Sequence, residues 1–193
     1  LESGTTTVGE ILTDRSLLPL YEASQLSGRL FFEAIGQEPG HCSSQLVRLN
    51  EALASFNSAR FQAGLSPHAP HTLAPSFLQS VVRLARKFAL PVSIHLAESA
   101  AESAFMFDST GSITEKLYPF VHWEDYLPAP RHLTSAAYLD DLGGLGTETL
   151  AVHCVQINIA DAEILKKRGA TVVVCPRSNE RLVVGKAPLL LLK

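Results

Sequence analysis

The hydrophobic residues of this chain follow two periods, which alternate along its length. Residues 91–98, with the sequence Pro-Val-Ser-Ile-His-Leu-Ala-Glu, carry apolar side chains at every second position. This is the pattern of a strand with one apolar and one polar face. Similar patterns, read together with turn residues, predict six strands, at residues 4–12, 30–35, 62–66, 91–97, 149–154 and 171–175.

Helical patterns lie between these strands. In them the apolar residues recur every three or four positions, which is typical of an amphipathic helix with one buried face. The predicted helices are residues 16–26, 43–56, 75–89 and 161–167. The clearest of them, residues 75–89, has a predicted buried stripe made of Phe77, Leu78, Val81, Val82, Leu84 and Ala85.

The alternation of strands and helices predicts an α/β fold with parallel strands joined by crossover helices. A complete (β/α)8 barrel uses about 250 residues, or roughly thirty per unit, so a chain of 193 residues has room for about six units. We predict a partial TIM-type (β/α)8 barrel, in one domain at residues 1–193 that is incomplete at both ends. An open doubly wound sheet is the alternative.

Residues 99–145 form a long insertion between the fourth and fifth predicted strands. This insertion is too aromatic for a solvated loop, so we expect helices that form a lid or a partner surface. Its aromatic residues include Phe105, Phe107, Tyr118, Phe120, Trp123 and Tyr126.

Composition narrows the class of protein. An apolar content of 46% with 18% charged residues indicates a soluble globular chain. A net charge of -3 without a basic block argues against a nucleic-acid partner. The longest apolar run near the end, residues 188–192, is far short of the roughly twenty residues of a membrane span.

The cysteines indicate the cellular compartment of the protein, and the first residues indicate whether the chain is a whole protein or a piece of one. Cys42, Cys154 and Cys175 are odd in number, widely spaced and without a Cys-x-x-Cys pair. This argues against a disulfide framework or a thiolate zinc site and favours reduced thiols in the cytoplasm. The chain opens at Leu1 without methionine or a signal region and soon enters strand-like sequence, which we interpret as a piece of a longer protein.

Three histidines occupy equivalent places on the predicted strands. His95 and His153 lie on the small or polar faces of the fourth and fifth strands, and His68 follows the third strand in a proline-rich loop. Barrels place their chemistry at the carboxyl ends of their strands. Three unrelated buried histidines would each need a partner, whereas a shared metal or substrate would serve all three. We expect the three to converge, with Glu98 beside them if the chain turns near Ala97.

Several segments together resemble a known family. They are Ser-Pro-His-Ala-Pro at 66–70, His-Leu-Ala-Glu at 95–98, Ala-Val-His-Cys at 151–154 and Cys-Pro-Arg-Ser-Asn at 175–179, with Gly-Thr-Thr-Thr at 4–7 and Gly-Lys-Ala-Pro at 185–188. In this order and spacing they resemble the amidohydrolase superfamily, in its branch of chlorohydrolases and amino-heterocycle deaminases.

The resemblance implies a role for each site residue. His95 would ligate a catalytic divalent metal, zinc or alternatively iron, and His153 would bind the metal or hold its water. Glu98 would carry the proton between that water and the substrate, and His68 would contact the substrate. Such roles suit imidazole and carboxylate chemistry. Residues Ser178 and Asn179 would shape the pocket, with polar loop caps as the alternative.

The function implied by the resemblance is metal-dependent hydrolysis of a small molecule. The enzyme would remove ammonia, or less often chloride, from a heteroaromatic ring such as an aminopurine, a related nucleoside or a triazine. A non-catalytic barrel fragment and a metal-free barrel enzyme, with His95 and Glu98 as an acid-base pair, are the alternatives.

Two metal-binding elements of the family are not found in this chain. The family's first strand supplies a His-x-His pair and its last strand an aspartate, but no two histidines here are separated by one residue. We therefore expect the 193-residue chain to be inactive on its own. We also expect its two outer strands to self-associate or to be covered by terminal segments.

Overall fold

Six strands form one parallel sheet in which each strand pairs with the next along the chain. The computed structural model describes residues 4–192, and every strand pairing in it is parallel. A doubly wound sheet reverses its strand order at a switch point, whereas this order runs without interruption, as in a barrel. The prediction of a partial (β/α)8 barrel with six units is confirmed. The strands are β1 (Thr7–Leu12), β2 (Ser27–Ala34), β3 (Phe61–Pro67), β4 (Val92–Leu96), β5 (Thr149–His153) and β6 (Thr171–Val173).

Helices follow each strand, as the apolar spacing predicts. The helix after β3 buries all six residues of its predicted stripe. The α-helices are α1 (Leu18–Ala23), α2 (Pro39–Ser55), α3 (Pro75–Lys87), α4 (Ala100–Asp108), α5 (Tyr118–Phe120), α6 (Ser135–Asp141), α7 (Ile159–Arg168) and α8 (Pro176–Arg181). Shorter 3-10 turns lie at Arg15–Leu17 and Glu124–Tyr126, and one π-helical turn lies at Ile113–Leu117.

Strand β2 begins at Ser27, three residues before the predicted start. Gly28, which looks like a break between elements, is instead part of the strand and has a φ of 139°. A Cβ atom at this position would lie 1.9 Å from the carbonyl oxygen of Val8 on β1. Glycine therefore allows a close approach of two backbones within the sheet.

Two helices differ from the prediction at their ends. Residues 16–26 form a 3-10 turn and then the short helix α1, because Pro19 fits only the first turn of a helix. Helix α2 begins at Pro39, four residues earlier than predicted. The Glu38 carboxylate accepts hydrogen bonds from the amides of Gly40 (2.7 Å) and His41, which caps the helix.

The insertion is helical, as predicted, and has its own small core. The main core lies between the sheet and the helices packed on it, with Leu65, Leu78 and Ile94 almost fully buried. A second cluster joins α4, α5, α6 and the π-helical turn. Its buried members are Phe105, Met106, Ile113, Tyr118 and Tyr138.

Within residues 4–192, the outer strands β1 and β6 each pair with a neighbouring strand on one side. Strand β6 is shorter than predicted, since Cys175 already precedes helix α8. Leu189, Leu191 and Leu192 line a groove with Val172 and Val174 beside this strand. Self-association through the outer strands remains a prediction.

No helix in the described part of the chain is long and apolar enough to cross a bilayer.

Candidate active site

The three predicted histidines lie together at the carboxyl ends of neighbouring strands. The ring centroids of His68 and His95 are 5.1 Å apart, and those of His95 and His153 are 5.2 Å apart. His95 Nδ1 lies 3.1 Å from His153 Nε2. The sheet brings them together because β3, β4 and β5 are adjacent and in parallel register.

Glu98 joins this cluster through a turn that follows β4. The strand ends at Leu96, and Ala97 has a φ of 49°, in the left-handed region. The amides of Cys154 and Gln156 donate to the carbonyls of Leu96 (3.0 Å) and Ala97 (2.8 Å), which ties the turn to the end of β5. Glu98 Oε1 consequently lies 3.5 Å from His153 Nε2.

Hydrogen bonds determine which nitrogen carries the proton in His153 and His95. The Nδ1–H of His153 donates to Oδ1 of Asn179 at 2.8 Å, because an amide oxygen can only accept. With a single ring proton, His153 carries its lone pair on Nε2, which accepts from Nδ1–H of His95. This leaves the lone pair of His95 on Nε2.

The same reasoning applies to His68. The Thr72 hydroxyl donates its hydrogen to the carbonyl of Ala69 at 3.1 Å. Its oxygen must then accept from Nδ1–H of His68, 2.9 Å away. His68 thus also has its free lone pair on Nε2.

Burial keeps the imidazoles of His68 and His95 neutral. Desolvation lowers the pKa of His68 from 6.5 to about 4, with a smaller contribution from His71. Desolvation also lowers the pKa of His95 to about 4, with smaller contributions from the three neighbouring imidazoles. Neutral imidazole is the form that binds metals and accepts hydrogen bonds.

The two pocket candidates after β6 differ in their contacts. Asn179 is 2% exposed and contacts His153 through the hydrogen bond described above. Ser178 is half-buried, and within the described residues its hydroxyl makes no hydrogen bond. The structure therefore brings Asn179 into contact with the histidine cluster.

Two further residues lie at the site although the sequence patterns did not single them out. His71 follows the third strand in the loop of His68, and its ring lies 6.3 Å from that of Phe105 in the insertion. Glu102, on α4, hydrogen-bonds to the backbone of Ala97 and Glu98. The Ser-Ala-Ala-Glu segment at 99–102, typical of a helix N-terminus, is the signal that points to Glu102.

The donor atoms of this site suit a divalent metal. Imidazole nitrogens are common ligands for zinc and iron, and His95 has a lone pair on Nε2. The Nε2 of His153 is the second donor, and in this structure it lies 3.1 Å from His95 Nδ1. Within residues 4–192, however, no group of three or more His, Cys, Asp or Glu side chains is arranged to hold a metal ion. The donor chemistry of His95 and His153 therefore fits a divalent metal, but a complete set of ligands is not found among residues 4–192.

The fold and the site together define a class of protein. A parallel barrel segment in which imidazoles and a carboxylate converge at the strands' carboxyl ends is the arrangement of a barrel enzyme. Residues 1–193 match the model of the Amidohydrolase family, and the chain belongs to this family. The resemblance noted from the sequence motifs is therefore confirmed.

Two of the known proteins that are similar to this chain are deaminases. The chain is 30% identical over 188 residues to the aminodeoxyfutalosine deaminase of Deinococcus radiodurans, which covers 92% of this chain and 45% of that protein. The structure of the present chain is similar to that of Helicobacter pylori aminofutalosine deaminase, with a TM-score of 0.85 and 23% sequence identity. The match covers 98% of this chain and 47% of the Helicobacter pylori chain.

A zinc-containing structure is also similar. An adenosine deaminase from Xanthomonas campestris with bound zinc has a TM-score of 0.61 and 25% identity, covering 85% of this chain and 34% of that one. The chain thus spans less than half the length of each of these three proteins.

Proposed function

We propose that the protein is a metal-dependent hydrolase that deaminates a heteroaromatic ring, with an aminopurine nucleoside or a related compound as substrate. The convergence of His68, His95, His153 and Glu98 at one end of the barrel carries this proposal. Family membership supports hydrolysis, and the curated deaminase at 30% identity supports deamination in preference to dechlorination.

His95 and His153 are the proposed metal-holding residues. Zinc is the preferred metal and iron the alternative. When bound, the metal supplies a Lewis acid that lowers the pKa of a water molecule toward neutrality. Burial prepares His95 for this role because it keeps the imidazole neutral at neutral pH. The remaining ligands, in the family a His-x-His pair and an aspartate, would come from outside these 193 residues.

The other residues bind the substrate and move the proton. Glu98 takes a proton from the attacking water at its carboxylate and returns it to the ring or to the leaving nitrogen. His153 is held by Asn179, and its Nε2 would hold this water if it does not bind the metal. His68, with its lone pair on Nε2, accepts a hydrogen bond from a donor group of the substrate.

The substrate class follows from the proteins to which the chain is similar. Their names indicate deamination of small amino compounds, and one of them names adenosine, an aminopurine nucleoside. The insertion lies next to the site, because the hydroxyl of Tyr118 donates to the carbonyl of His71 at 3.0 Å. It is therefore the segment that would distinguish one nucleoside from another.

The decisive experiment is an ammonia-release assay on the full-length protein that contains these residues. It would use adenosine, 5'-deoxyadenosine and aminodeoxyfutalosine as substrates, with metal analysis of the same sample. We expect turnover that a chelator abolishes and zinc restores. Turnover without metal would favour the metal-free acid-base enzyme, and a metal-loaded protein without turnover on any amino-heterocycle would refute the proposed reaction.

The 193-residue chain provides a second test. We propose that this chain alone is inactive, because its described residues supply only part of a metal shell. Zinc-dependent turnover by the chain alone would contradict this proposal.

A cytoplasmic location is also proposed, since Cys42, Cys154 and Cys175 are free thiols, and cell fractionation would test it.

A further inference from the structure

Glu102 is a buried carboxylate directly beneath the turn that carries Glu98. Its side chain is 1% exposed. Oε1 accepts from the amide of Ala97 at 2.8 Å and from the hydroxyl of Ser135 at 2.6 Å. Oε2 accepts from the amide of Glu98 at 2.9 Å. Both carboxylate oxygens therefore accept hydrogen bonds, and two of the three donors belong to the turn.

This arrangement is not the usual helix cap. Ser99 caps α4 in the ordinary way, because its hydroxyl accepts from the amide of Glu102 at 3.2 Å. In a capping box, the glutamate at the third helical position would accept in return from the amide of the cap residue. Glu102 instead reaches past Ser99 to the two preceding amides. Its carboxylate holds the turn rather than the end of the helix.

The turn needs such support because of its backbone conformation. Ala97 has a φ of 49°, a conformation that is unfavourable for any residue with a Cβ atom. If Ala97 relaxed, its buried amide would lose the acceptor on Glu102, and a buried donor without a partner is unfavourable. The pair of bonds to Glu102 therefore opposes the tendency of Ala97 to relax to a negative φ, which would move Glu98.

We propose that Glu102 is a positioning residue that holds the turn at Ala97 and Glu98, so that the Glu98 carboxylate faces His153. The proposal rests on the proton-transfer role proposed above for Glu98. Ser135 takes part indirectly, because it is the first residue of α6 and orients the Glu102 carboxylate. The insertion is thereby connected to the site through one buried acid.

The main variants are Glu102→Gln and Ser135→Ala in the full-length protein. Glu102→Gln preserves the shape of the side chain but places an amide NH2 against a backbone N–H donor. We expect kcat to fall about 10- to 100-fold and KM to change less than about threefold, because Glu98 is misplaced while the substrate contacts remain. Ser135→Ala removes one of the three bonds, and we expect kcat to fall about threefold. If Glu102→Gln does not fold, Ser135→Ala is the variant that tests the proposal.

Asp161→Asn is the matched control. Asp161 is 2% exposed and also occupies the third position of a helix, α7, where it accepts from the amide of Asn158 at 3.0 Å. Asp161 also accepts from the hydroxyl of Thr134, the residue before Ser135, but makes no hydrogen bond to the amides of Ala97 and Glu98 in the described part of the chain. Its replacement therefore perturbs a buried acid of the same kind while both bonds from Glu102 to the turn remain. We expect a lower melting temperature but a kcat within about twofold of the parent protein. If the role of Glu102 were purely structural, Glu102→Gln would also lower the melting temperature and leave kcat almost unchanged.

Hydrogen-deuterium exchange at the amides of Ala97 and Glu98 separates this proposal from the proposed function. We expect faster exchange at both amides in Glu102→Gln than in Asp161→Asn. Equal exchange would overturn the proposal whatever the activity. Unchanged kcat in Glu102→Gln, in a protein that Glu98→Gln inactivates, would also overturn it. If Glu98→Gln retains full turnover, the role of Glu98 fails, and exchange alone decides whether Glu102 holds the turn.

Discussion

The Nδ1–H of His153 donates a hydrogen bond to Oδ1 of Asn179 at 2.8 Å, across 26 residues of sequence. This contact fixes the tautomer of a histidine that also lies 3.5 Å from the carboxylate of Glu98. A residue on α8 thus determines that the lone pair of His153 faces the site. The relationship gives the first prediction.

Replacing Asn179 with alanine should lower kcat about tenfold, because the loss of a buried hydrogen bond of about 1–3 kcal/mol frees the imidazole to rotate or to change tautomer. Steady-state kinetics of the full-length protein would measure this fall in kcat. Arg177→Ala, an exposed change on the same helix, is the control. Equal kcat values for the two variants would show that Asn179 does not orient His153.

Glu98→Gln should retain the metal but lose most of its turnover. General acid-base catalysis contributes about 10²- to 10⁴-fold, and the amide can neither take up nor return the proton. Metal content and ammonia release from the same sample would test this, with Glu124→Gln as an exposed control. Full activity of Glu98→Gln would remove Glu98 from the mechanism.

Stability should fall as the pH is lowered, in part because of His71. Burial lowers the pKa of this imidazole from 6.5 to about 4. Between these values the unfolded chain binds the proton and the folded protein does not. The contribution of His71 is therefore complete above pH 6.5 and is lost progressively as the pH falls toward about 4.

His71→Phe should therefore reduce the difference in unfolding free energy between about pH 7 and about pH 5. Urea unfolding at the two pH values would measure it. Some pH dependence should remain, because the pKa values of His68 and His95 are lowered in the same way. The exposed His122→Gln should leave the profile unchanged, and an unchanged profile for His71→Phe would refute the interpretation.

Gly28→Ala should destabilise the fold by about 2 kcal/mol or more, because strain at a special φ combines with overpacking against the backbone of β1. A Cβ there would lie 1.9 Å from the Val8 oxygen. Gly146→Ala is the control, since a Cβ at Gly146 would have no atom within 4 Å. Chemical denaturation would compare them, and similar stabilities would show that β1 can shift without cost.

The 193-residue chain should self-associate through the outer strand β6. This strand is apolar, with Val173 36% exposed, and an uncharged strand edge favours pairing with another chain. Val173→Lys should reduce the association measured by light scattering. Val47→Lys, which alters an exposed valine on α2, should not. A stable monomer at all concentrations would contradict the prediction, and would favour covering of the edge by residues 189–192.

Most of the fold could be predicted from local patterns. The period of two in residues 91–97 and the helical period in residues 75–89 depend only on which neighbours in sequence are apolar. They located β4 and α3 to within one or two residues. The start of β2 could not be predicted in this way, because the role of Gly28 depends on how closely β1 approaches.

The candidate site divides in the same way. The sequence by itself determined that His68, His95 and His153 lie at strand ends, since parallel strands joined by helices place their carboxyl ends on one side. Only the tertiary structure decided that Asn179 orients His153 and that Glu102 holds the turn of Glu98. A hydrogen bond depends on which donor lies within about 3 Å of which acceptor. For residues on different elements, packing of the whole chain sets that distance.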